Sequence, residues 1–302
     1  MFLLISLFVY IIFPSYFLNA PCRSTIDFQI SMCYRKITNE IAGGVKMSLS
    51  QHFVKDGVDV YVYDTFEKMG KAAADFAAQI IQKLAAQQEE INLLLPIASS
   101  QYSFLPALCS MDLPWEKINF FHVDEYIGLA ADDKRTLRNE LLNNFIGKLP
   151  YRGAYFMDGL AKDPKAECRR YAALLKAHKT DLSVLGFGDN GHLAFNEPHC
   201  ANFDDPEPVK IIDIDPVSKK QQIASGYFKD EEDMPDHAFT LTLPTLVSAR
   251  YKICVVPFPN KAKSSHDALF GPIGEVCPAS IIRTVPNVTA FFDKDSAGLF
   301  PG

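Results

Sequence analysis

The chain has 302 residues, 48% of them hydrophobic and 22% charged, and a formal net charge of −6. That is ordinary globular composition, with ample material for a core. The acidic balance, with no basic stripe, excludes a nucleic-acid footprint.

Residues 1–46 differ from the rest. "MFLLISLFVYIIFPSYFLNAPC" has the apolar run of a signal peptide but no Lys or Arg before it. Pro14 interrupts the run, which makes it short for a membrane span. Three readings compete: export, anchoring, or an upstream extension ahead of a native start at Met47. The third is favoured, because residues 23–46 give no helix or strand pattern and the body from 47 on reads as one cytosolic domain. Cysteines stand at 22, 33, 109, 168, 200, 254 and 277, with no C-x-x-C pair and no zinc-finger spacing. They read as reduced, mostly buried thiols of a cytosolic protein. The "NVT" at 287–289 matters only if the chain is exported to a glycosylating compartment.

"VDVYVYD" (58–64) alternates and reads as a strand. Residues 65–90 read as a helix with Phe66, Met69, Ala73, Phe76, Ile80 and Leu84 at helical spacing and Thr65 as N-cap. "INLLLP" (91–96) is the apolar run of a strand buried on both faces, and "SQYSFLPALCSM" then starts a helix. "INFFHVDEY" (118–126) is another apolar run, ending in charge. Helices are expected over 134–149 and 164–179, a strand over 181–188, and the runs "VKIIDID" and "AFTLTLPTLVSA" follow. A strand over 250–258, a helix over 260–271 and a last strand and turn over 288–297 complete the chain. Strands alternating with amphipathic helices predict an α/β fold, a Rossmann-like, mainly parallel sheet with helices on both faces. Ligands of such folds bind at the carboxyl ends of the strands. Those ends carry "PIASSQ" (96–101), "HVDEY" (122–126), "GFGDNGH" (186–192) and "PFPNKA" (257–262), so these segments should converge on one edge.

"GFGDNGHLAFNEP" is the most informative. It reads either as a tight turn made by Gly186, Gly188 and Gly191 with Asp189 capping a helix, or as a proton-transfer unit around His192. Gly191 meets the G-x-G-x-x-G spacing of a dinucleotide loop. Pro198 nevertheless cuts short the helix that would hold the pyrophosphate, which argues against a nucleotide. Asp124 and Glu125 are either solvated acids at a strand end or a base whose pKa is raised by apolar surroundings. Lys261 at a predicted helix start is either a solvated lysine or part of an anion site, to which Ser99 and Ser100 could add hydroxyls and backbone N–H groups. Arg283 suits bidentate contact with a phosphate, and a solvated surface arginine is its competing reading.

Taken together, these segments resemble the glucosamine-6-phosphate deaminase family over most of residues 47–302. "HVDEYIGL" looks like the family's "xxDEYxGL" and "LGFGDNGHLAFNEP" like its "GxGxDGHxAFNEP". "PFPNKA" falls where the family has a lysine before alanine, and "VCPASIIRTVPN" near its C-terminal segment. The 6-phosphogluconolactonases share G-x-G-x-D-G-H but lack "AFNEP" and "DEY". The resemblance implies a Rossmann-like fold, no metal or nucleotide, a sugar-phosphate substrate, commonly a homo-oligomer, and conversion of glucosamine 6-phosphate to fructose 6-phosphate and ammonia. It implies that Asp124 moves a proton between C2 and C1 of the open-chain sugar. His192 would open the ring, Glu197 orient His192, and Lys261 bind the phosphate. Glu125 and Gly188 fall beside these positions and are candidate substrate contacts.

Three departures stand out. The family's acid before Gly-His is Asn190 here, with Asp189 displaced by one position. Its Gly-Gly phosphate loop is "IASSQ". Its phosphate-holding arginine falls near Gly226, and Arg283 is the candidate replacement. Two alternatives therefore stay open: a related lactonase or isomerase without deamination, which a substrate panel separates, and a non-catalytic sugar-phosphate sensor. Asp124→Asn would leave a sensor's binding unchanged and abolish an enzyme's turnover.

Overall fold

The computed structural model describes residues 49–224 and 226–301. The readings made for residues 1–46, for a start at Met47, and for Cys22 and Cys33 lie outside the described residues. Strands β1 (Leu49–Lys55) and β2 (Val58–Tyr63) form an antiparallel hairpin. Its turn, Asp56-Gly57, has φ of 47° and 84°, the positive pair that favours Asp-Gly in two-residue hairpins. The sequence reading assigned no strand before residue 58.

Helix α1 (Phe66–Ala85) starts where expected: the Thr65 side chain accepts from Lys68 N. Strand β3 (Ile91–Leu95) follows, then a 3₁₀ turn at Ser99–Gln101 and the short α2 (Phe104–Cys109). Beyond them come β4 (Ile118–His122), β5 (Asp124–Tyr126), α3 (Leu137–Asn144), β6 (Gly153–Tyr155), α4 (Pro164–Ala177) and β7 (Leu182–Leu185). The chain continues through β8 (Val209–Asp213), α5 (Pro216–Ala224), β9 (His237–Leu241), α6 (Leu243–Val247), β10 (Tyr251–Val256), α7 (Ala262–Phe270) and β11 (Val288–Asp293).

The large sheet has the order β1-β2-β11-β10-β7-β3-β4-β6, and every pair after the first is parallel. The chain winds outward from β3 to β4 and β6, then returns to lay β7, β10 and β11 on the other side. The winding reverses between β3 and β7, and in open parallel sheets ligands bind at such a point, outside the carboxyl ends. On one face Phe291 meets Phe76 of α1, ring centroids 5.7 Å apart. On the other, Ala290 and Phe292 belong to one buried apolar cluster with Tyr171 of α4, Leu243 and Leu246 of α6, and Leu269 of α7. The expected α/β architecture is the one observed.

A second, three-stranded antiparallel sheet, β5-β9-β8, was not foreseen. The segment 118–126, taken as one apolar run ending in charge, divides at Val123, whose carbonyl accepts Leu241 N at 2.8 Å. That bond takes the chain out of the large sheet and onto β9. The helix expected over 134–149 is also shorter. It begins at its N-cap Thr136, and Phe145 (φ −133°, ψ −78°) ends it. No described helix is long and apolar enough to cross a membrane.

Candidate active site

The turn after β7 contains no helix, so Asp189 is not a helix cap. The turn closes on itself through Gly191 N to Gly188 O (3.0 Å) and Gly188 N to His192 O (2.9 Å). Gly191 holds φ +84°, and a Cβ there would lie 2.6 Å from Cys277 Sγ. At Gly188 a Cβ would lie 2.2 Å from the His192 ring. Gly188 therefore makes room for the imidazole.

His192 Nδ1 lies 2.8 Å from Glu197 Oε1, an ion-pair distance rather than an aligned hydrogen bond. Its ring keeps 24% exposure, while Glu197 keeps 1%. Asn190, standing where the family has an acid, donates its amide to Glu197 Oε2 and accepts His192 N at 3.1 Å. Ser218 Oγ from α5 donates to Glu197 Oε1 at 2.5 Å. Burial alone would raise the Glu197 pKa, but the His192 contact and charge, with Asn190 and Ser218, bring it down to about 2. The cluster is a buried carboxylate, fixed as an anion, holding one part-exposed imidazole.

Asp124 opens β5 opposite Thr240 of β9, and Thr240 Oγ1 accepts Phe195 N of the segment after β7 at 3.2 Å. The small sheet thus carries Asp124 beside the His192 segment. Among the described residues, the Asp124 carboxyl has no hydrogen-bond partner. Burial, then the Glu125 charge, pushes its pKa up to about 8. Glu125 itself is otherwise engaged. Its Oε1 accepts Tyr126 N and Leu137 N, and its Oε2 accepts Arg138 N, each at 2.9 Å. It anchors the first turn of α3, where a carboxylate is favoured, and leaves little capacity for a substrate.

Asp189 Oδ1 accepts Asn260 Nδ2 at 2.8 Å and pairs with Lys261 Nζ. The displaced acid therefore faces the lysine, and Asn190 occupies the position against Glu197. Phe258, just before Lys261, holds φ +82°, a strained value for a bulky residue. The Asp293 carboxylate fixes it by accepting Phe258 N at 3.0 and 3.2 Å. Ser100 is buried, and a Cβ added at Gly186 would lie 3.0 Å from its Oγ, so the loop after β3 abuts the turn after β7. Ser99 is exposed at the start of the 3₁₀ turn.

Arg283 is not brought to this edge. Its guanidinium donates to Asp56 at 2.8 Å and to Gly271 O at 2.7 Å, closing the C-terminus of α7 at the opposite end of the sheet. Ser218 and Asn260 were missed; nothing in their local sequence marks them, because their partners are 21 and 71 residues away. No group of His, Cys, Asp or Glu among the described residues is arranged to hold a metal.

Fold and site together define a class: an α/β protein whose mainly parallel sheet carries a cluster of acids and one imidazole beyond its carboxyl ends. The chain matches the family model described as glucosamine-6-phosphate isomerases/6-phosphogluconolactonase over residues 64–290. It is 31% identical over 228 residues to a glucosamine-6-phosphate deaminase of Listeria innocua, covering 76% of this chain and 95% of that one. It is 28% identical over 242 residues to a Bacillus thuringiensis protein of the same name, covering 80% and 89%. A solved structure described as a monomeric glucosamine-6-phosphate deaminase superposes with TM-score 0.72 at 26% identity, over 80% of this chain and 99% of the other. A Trypanosoma brucei 6-phosphogluconolactonase superposes with TM-score 0.65 at 18% identity, over 80% and 98%, a likeness of fold alone. The chain belongs to the glucosamine-6-phosphate isomerase/6-phosphogluconolactonase family.

Proposed function

We propose that the domain from residue 47 onward is a cytoplasmic glucosamine-6-phosphate deaminase, converting glucosamine 6-phosphate and water to fructose 6-phosphate and ammonia. The observation that supports it most is the buried, unpartnered Asp124 carboxyl beside the His192–Glu197 cluster. His192, with Nδ1 toward Glu197, presents Nε2 to the sugar and moves the proton that opens the ring. Asp124 takes the C2 proton of the open chain and returns it to C1. A group that must both accept and donate works best with a pKa near the working pH, and burial raises Asp124 toward it. Moving that proton, while one proton of the C2 amine passes to the C1 oxygen, turns the amine into an imine and the aldehyde into an alcohol; water then hydrolyses the imine to the C2 ketone with release of ammonia.

Lys261, with Ser99, Ser100 and the backbone of the 3₁₀ turn, is the proposed phosphate contact, and a phosphate has to compete with Asp189 for the ammonium. Homo-oligomer formation, which the resemblance implies, is proposed as well, and light scattering beside the assay checks it. Ammonia release from glucosamine 6-phosphate tests the function. Hydrolysis of 6-phosphogluconolactone without ammonia release would favour the lactonase alternative. Binding without turnover would favour the sensor.

A further inference from the structure

We infer that Ser218 is a positioning residue for Glu197: its hydroxyl fixes the carboxylate oxygen that faces His192, and so couples the first turn of α5 to the acid–base cluster. The Ser218 hydroxyl is buried and donates to Oε1 at 2.5 Å. That oxygen is the one 2.8 Å from His192 Nδ1. The other, Oε2, takes the Asn190 amide. The last torsion of a glutamate is soft and broad, so packing of the stem alone does not set where its oxygens lie. Asn190 holds one oxygen, and the carboxylate could still pivot about that contact. A donor from a different element, on the other oxygen, removes the pivot.

Serine near a helix start ordinarily bonds back to its own backbone. Ser218 instead reaches across 21 residues of sequence to an acid that is 1% exposed. The bond also comes from a helix that is otherwise largely at the surface, with Pro216, Lys220 and Ala224 exposed. The position of α5 is thereby transmitted to the imidazole through one hydroxyl. An amide at 190 donates to Glu197 but carries no charge, so at this contact the negative charge held against His192 is that of Glu197, and its placement matters.

The inference rests on the deaminase reading for its kinetic arm only. Ser218→Ala is expected to lower kcat for ammonia release about tenfold, the worth of one hydrogen bond to a charged group, with KM within about twofold of wild type. Ser218→Thr keeps the hydroxyl and is expected to recover most of kcat. An alanine variant with unchanged kcat, or a threonine variant as impaired as alanine, overturns the inference while the deaminase reading stands. If the unaltered protein releases no ammonia, that reading fails instead, and a crystal structure of S218A decides the inference alone. Glu197 Oε1 is expected to move beyond about 3.5 Å from His192 Nδ1. A carboxylate left in place overturns it.

Discussion

At Gly188 the missing side chain matters more than the backbone. A Cβ would sit 2.2 Å from the His192 ring, and the imidazole would have to swing away. Gly188→Ala is therefore expected to fold normally and to lose about a hundredfold in kcat, the typical cost of displacing a reacting group by an ångström. Circular dichroism beside the ammonia assay checks both halves. Asp189 makes the opposite case. It pairs with Lys261, and both side chains are part-exposed. Asp189→Asn should release the ammonium and lower KM for the sugar phosphate about two- to fivefold, the range of a surface ion pair. A raised KM would mean that Asp189 holds Lys261 ready rather than competing for it.

At the level of elements, Glu125 ties β5 to α3. Three backbone N–H groups converge on its carboxylate. Glu125→Gln keeps the shape but removes the charge, and should cost about 2 kcal/mol of stability, read by urea denaturation. Its charge also raises the Asp124 pKa, so the same variant should move the acid limb of the pH–rate profile to lower pH. Gly70 gives a contest of magnitudes. Alanine is favoured over glycine inside a helix by about 1 kcal/mol. Here its Cβ would lie 2.4 Å from Ser103 Cβ and 2.6 Å from the Ser103 carbonyl carbon. Backbone cannot yield as a side-chain tip can, so Gly70→Ala should lower Tm despite the better propensity.

Across the whole molecule, two buried acids tilt stability in opposite directions. Asp124 is raised from 3.8 to about 8, so its contribution is complete below pH 3.8 and is lost as pH rises through about 8. Glu197 is lowered from 4.5 to about 2, so its contribution is complete above pH 4.5 and is lost as pH falls through about 2. These two groups place the stability maximum near pH 4 to 5. Asp124→Asn removes the first tilt. It should melt above the unaltered protein at pH 8, with the gap closing toward pH 4, and thermal melts across that range measure it. A constant gap would mean that Asp124 is already ionised in the fold.

The sequence by itself determined the alternation of strands and helices, and which polar segments lie at the strand ends. Burial of a parallel sheet on both faces writes its strands as apolar runs, as in "INLLL", and its carboxyl edge leaves the following residues polar. The positions of Asp124 and of His192 to Glu197 were legible for that reason. Only the tertiary structure decided which partner each polar group takes. Glu125 went to the backbone of α3, Arg283 to the far edge of the sheet, Asp189 to Lys261, and Ser218 to Glu197. The break after His122 that sends Asp124 into a second sheet was hidden too, because Val123 is as apolar as the strand it leaves. Hydrogen bonds and charge act through space over a few ångströms, and a linear pattern records only the residues that burial sorts along the chain.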